Sequence, residues 1–139
     1  MRIFLIFLSG VAIALSGCAT KPVSTASASL VPEHRIINKS MTTKKAGQSV
    51  LIIKRDSGWN TSACSVRVFI NGSPVADVRT SEKVAIYLNS GKYILSAIAN
   101  GICTGGLIEE SFSIAKGKSV IYRISYGSHG EFSLNPTAF

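Results

Sequence analysis

Residues 64–99 read CSVRVFINGSPVADVRTSEKVAIYLNSGKYILSAIA, short apolar runs with a period of two, each cut off by a turn dipeptide. Little else in the chain limits its fold as strongly. Val66, Val68 and Ile70 fall on one side of an extended strand, with Ser65 and Arg67 on the other. Asn71-Gly72 supplies two residues that tolerate positive φ, as a tight hairpin turn needs. The same pattern continues on both sides of this window. Strands are expected at about 49–55, 64–70, 74–79, 83–88, 92–99, 107–114, 118–125 and 131–134. Val84, Ile86 and Leu88 repeat the buried face, as do Val120, Tyr122 and Ile124. After the first seventeen residues no apolar repeat near 3.6 is sustained, so little helix is expected. The prediction is an all-β domain over 49–139, a single antiparallel β-sandwich of seven to eight strands.

The N-terminal third is written differently. Met1-Arg2 begins the chain, and Ile3 to Leu15 is almost wholly apolar, broken by Ser9 and Gly10. That run is shorter than the roughly 20 residues a spanning helix needs and fits a cleaved signal helix over 1–17. Residues 19–30, ATKPVSTASASL, carry too little apolar surface to offset their ordering entropy. Residues 18–48 therefore read as a flexible basic tether. A 30-residue tether has a root-mean-square span of about 30 Å and would lift the folded part off a membrane. The chain has 15 Lys and Arg against 7 Asp and Glu, a net charge of +8. The excess is densest in the tether, where Lys21, Arg35, Lys39, Lys44 and Lys45 face Glu33 alone. Such a segment either attracts anionic lipid headgroups or is a solvated tail. Nucleic acid is not expected as a partner, because the basic residues are not interleaved with aromatics on a binding motif.

Leu15-Ser16-Gly17-Cys18 resembles the lipobox of bacterial lipoproteins. The resemblance implies that the Cys18 thiol receives a diacylglycerol, that the chain is cut before Cys18, and that the new amino group is acylated. No other cofactor is expected. Two or three acyl chains anchor a protein stably, at about 0.8 kcal/mol per buried methylene. Ala19 stands where an inner-membrane retention Asp would stand, which implies the outer membrane, on its periplasmic face or at the cell surface. Residues 66–97 are similar to PEGA-type and Ig-like β-sandwich modules and to small envelope lipoproteins of the same hairpin pattern, although the signature tetrapeptide is replaced by Asn89-Ser90-Gly91-Lys92. Cys64 and Cys103 are the thiols left after lipidation, and an even pair in an exported chain argues for a disulfide.

Patterns that suggest catalysis are weak. Ser113-Ile114-Ala115-Lys116 matches S-x-x-K, but at a strand end and without its partner motifs. Ser128-His129 invites a triad, yet no motif places a carboxylate. Glu109 and Glu110 alternate across a strand and cannot form one acid–base pair. Two Cys with distant histidines make a poor metal set. The expectation is a non-catalytic, membrane-tethered lipoprotein acting as a binding, structural or assembly module, with an anionic lipid or envelope protein as partner. Alternatives are a lysozyme inhibitor, since Ser90-Gly91-Lys92-Tyr93 resembles that family's SGxxY loop one residue short, and a phage or plasmid surface-exclusion lipoprotein. Candidate contact residues are Arg55, Trp59 and Asn60, with Tyr126 joining them if it lies at the same end. Trp59 either anchors a partner or folds back to plug the sandwich, and the usual burial of Trp favours the plug.

Overall fold

Seven residues, SVLIIKR, form a strand with no exposed position and five of seven buried, and they sit where such a strand must sit, inside a sheet. The computed structural model describes residues 19–59, 61–103 and 105–139. The expected signal helix, and with it Cys18, lies outside the described residues, as does Asn60. Among the described residues there are nine strands: β1 (Ser29–Leu30), β2 (Ser49–Arg55), β3 (Val66–Ile70), β4 (Ser73–Val78), β5 (Glu82–Leu88), β6 (Gly91–Ala99), β7 (Ile108–Ile114), β8 (Ser119–Tyr126) and β9 (Phe132–Pro136). They form a β-sandwich of two sheets, ordered β1-β5-β2-β8-β9 and β4-β3-β6-β7. The only α-helix among the described residues is the four-residue α1 (Lys39–Thr42).

The alternating residues do what their period dictates. Val66, Val68 and Ile70 of β3 face Leu51 and Ile53 of β2, Val84, Ile86 and Leu88 of β5, and Tyr122 and Ile124 of β8 in one core. Fully burying an aliphatic side chain of this size contributes about 1.5–3 kcal/mol. Asn71 (φ 48°) and Gly72 (φ 78°) make the β3–β4 turn with the two positive φ values of a type I′ hairpin.

Two expectations need correction. The sandwich is not wholly antiparallel. β8 pairs with β2 in parallel, Val50 opposite Ser119 through Arg55 opposite Ile124, and β1 pairs in parallel with β5. Hairpin signals constrain sequence neighbours only. β2 and β8 are joined through strands of the opposite sheet, so no turn fixes their relative direction.

The second correction concerns residues 20–48, which run along the sandwich rather than hanging free. Ala28 and Val31 are buried, and Ile36 and Met41 pack against the core. Arg35 grips Glu82 with both terminal nitrogens, Nη1 at 2.7 Å from Oε2, and donates to the Asp77 carbonyl at 3.0 Å. The sandwich also captures the strap's backbone. Lys54 Nζ donates to the Val23 carbonyl at 2.6 Å, and Lys83 Nζ donates to that of Thr25. Composition counted the strap's few apolar residues but not the cations waiting for its carbonyls.

Candidate functional site

β2 ends in Lys54-Arg55 and Asp56 follows it, three charged residues that are all fully buried. Period two explains Arg55: it shares the inward face of Leu51 and Ile53. Its guanidinium donates to the carbonyls of Cys64 (2.6 Å), Val78 (3.3 Å) and Thr61, and lies 5.5 Å from the Tyr126 ring centre. Arg55 is thus a strut beneath the 56–65 loop and not the surface cation expected from the sequence. Tyr126 is buried with it and joins no exposed patch. Burial pushes the Asp56 carboxyl up from its ordinary value, opposed by the Arg123 guanidinium, whose Nε stands 3.0 Å away.

Above this strut the loops are apolar at their tips. Trp59 is 90% exposed, so the plug expected for it is overturned. Its carbonyl accepts from the amide (3.2 Å) and hydroxyl (2.7 Å) of Ser62, a tight turn that presents the ring outward. The second loop, 100–107, carries Ile102, also 90% exposed, and Leu107, 56% exposed. Cys64 and Cys103 are joined by a disulfide, as expected, which ties the Trp59 loop to the Ile102 loop. A cleft of about 420 Å³ opens beside the bridge, bordered by Thr61, Ala63, Ile102, Tyr126 and the 127–130 turn. Ile102 carried no signal in the sequence, because one Ile beside a Cys in a Gly-rich loop reads equally as a core contact.

The chain enters the sandwich at this same end. Thr20 donates its amide to the Tyr126 carbonyl (2.9 Å), and its hydroxyl accepts from the Tyr126 amide (2.9 Å). Lys21 and Ser57 exchange two backbone bonds of 2.8 and 3.0 Å. Gly58 permits this approach, since a Cβ there would lie 2.8 Å from Thr20 Cγ2. The opposite end gathers exposed lysines. Lys44 and Lys45 precede β2, Lys92 opens β6, and Lys116 and Lys118 flank the β7–β8 turn. Lys44 and Lys45, read in the sequence as anchor-proximal, stand one strand length from Thr20, roughly 20–25 Å along β2.

The candidate catalytic groups do not assemble a relay. Ser128 Oγ does reach His129, at 3.2 Å from Nδ1, but Glu131 approaches that same nitrogen at 3.4 Å. A triad needs hydroxyl and carboxylate on opposite ring nitrogens. Ser113 is exposed near the end of β7 and Lys116 lies in the following turn, so no helix face aligns them. Glu109 is exposed and its Oε1 accepts from Ser96 Oγ at 3.0 Å. Among the described residues no three His, Cys, Asp or Glu side chains gather into a potential metal site. The chain matches no protein-family model and no curated protein.

Proposed function

We propose that this chain is a non-catalytic envelope lipoprotein, a β-sandwich held at the outer membrane by lipid on Cys18 and acting as a binding, structural or assembly module. The observation that carries the reading is Leu15-Ser16-Gly17-Cys18 at the end of an apolar run. Two features support it. The Cys64–Cys103 disulfide suits an oxidising compartment outside the cytoplasm. Thr20 and Lys21 are bonded into the sandwich, so the lipid-bearing residue is followed by almost no slack. The fold would then stand directly on the membrane instead of swinging on a leash.

Labelling cells with a palmitate analogue tests the anchor. The wild-type chain should take up label and fractionate with outer membranes, and Cys18→Ala should do neither. Equal labelling of the variant would refute the reading. Crosslinking in cells, followed by identification of the captured species, then separates an envelope protein partner from a lysozyme or a phage or plasmid receptor.

A further inference from the structure

The end of the sandwich that receives the N-terminal strap is also the end with the most exposed apolar side chains. Trp59 and Ile102 are each 90% exposed, on two loops that the Cys64–Cys103 disulfide holds together. Thr20 is bonded to Tyr126, which leads into the 127–131 turn, and packs against Gly58, next to Trp59. Cys18 precedes Thr20 by two residues, and two residues of extended chain span at most about 7 Å. Lipid on Cys18 therefore brings the bilayer to these loops.

We propose that this loop end is a membrane-docking surface, with Trp59 and Ile102 entering the interfacial layer of the bilayer that holds the Cys18 acyl chains. The proposal rests on the anchor reading above and adds an orientation to it. The chemistry of each group fits its place. Trp is the residue best suited to the headgroup boundary, where an apolar ring and a polar N–H are both satisfied. Ile102 has no polar atom beyond its backbone and gains from leaving water. Lys21, exposed and next to the anchor, lies where anionic headgroups would attract it. Depth is limited by the third loop, whose Glu131 is exposed and approaches His129. Desolvating that carboxylate is costly, so the 127–131 turn stays at the headgroup level while the other two tips insert. Docked this way, the sandwich stands on end and turns Lys44, Lys45, Lys92, Lys116 and Lys118 away from the membrane.

Trp59 is the chain's one tryptophan and reports on its own surroundings. The lipidated protein, reconstituted into phosphatidylcholine–phosphatidylglycerol vesicles, should show blue-shifted Trp59 emission. That emission should be quenched by lipids brominated on the acyl chain and protected from aqueous acrylamide. Ile102→Asp, at an exposed position that folding tolerates, should reverse all three effects while the protein still floats with the vesicles. Emission that stays water-like, acrylamide-accessible and unquenched by bromolipid in the floating wild-type protein would overturn docking and leave the loop tips to a protein partner. If Cys18 carries no acyl group, the anchor reading fails separately. Coupling the Cys18 thiol to a maleimide lipid in the same vesicles then gives the same two outcomes for docking alone.

Discussion

Replacing Arg55 by Met tests whether the buried guanidinium, and not surface charge, is the business of the KRD triplet. Met keeps the apolar stem but removes every donor, so the carbonyls of Cys64 and Val78 lose the guanidinium and that of Thr61 keeps only the Cys64 amide at 3.3 Å. A buried acceptor left unsatisfied costs about 1–3 kcal/mol. Burial disfavours the Arg55 charge and pushes its pKa down from the ordinary value, so removing the charge returns part of this. With three carbonyls affected and the desolvation returned, the net loss should be about 3 kcal/mol. At roughly 4 °C per kcal/mol for a domain of this size, the melting temperature should fall by about 12 °C. Arg55→Lys should fall between the two, since one ammonium on a shorter fork cannot reach three carbonyls in different directions. Thermal melts by circular dichroism, with the disulfide intact, measure the fall. Hydrogen exchange at the amides of 61–64 should show the loop loosening before the strands. A melting temperature within about 2 °C of the parent, the range of a surface substitution, would show that these carbonyls find water and that Arg55 is no strut.

Three further outcomes follow from the same structure. Replacing both Cys64 and Cys103 by Ala should cost about 4 kcal/mol by the chain-entropy model for a 40-residue loop, read as a lower denaturation midpoint, and should detach the Ile102 loop from the Trp59 loop. Burial raises the Glu82 carboxyl, but the hydrogen bonds from Arg35 and the Arg79 amide and the charges of both arginines outweigh it and hold the group below its ordinary value. The stability from the Arg35–Glu82 pair is therefore complete above an unfolded pKa of about 4.3 and is lost as pH falls through the lower folded value, a dependence that Glu82→Gln should abolish in acid titrations of the melt. Gly58→Val should push Thr20 off the sandwich, because its Cβ would lie 2.8 Å from Thr20 Cγ2, and faster amide exchange at Thr20 and Lys21 with β2–β8 unchanged would report it.

How much of this was legible in the sequence depends on how local the cause is. Asn71-Gly72 determines its own turn, and Val66, Val68 and Ile70 determine their own face, so the strands and the sandwich could be read directly. Trp59 defied its usual burial because Arg55 occupies the interior below its loop and the Ser62 turn leaves the ring no way in. Arg55 itself was readable: the period set by Leu51 and Ile53 points it inward, and only its charge argued otherwise. The strap over 20–48 was not readable from its own residues. Its order comes from Lys54, Lys83 and Glu82, which lie far along the chain and act on carbonyls and on one arginine. The parallel pairing of β2 with β8 is likewise a property of the assembled sheets, with no local turn to announce it.

The proposed lipid on Cys18 is the centre of the account, because it would fix which end of the sandwich meets a membrane. Mass spectrometry of the N-terminal peptide of protein extracted from cell membranes tests it most directly. The account predicts a peptide that begins at Cys18 and carries a diacylglycerol on the thiol and an acyl group on the amine. An N-terminus at any other residue, or an unmodified Cys18, would contradict it.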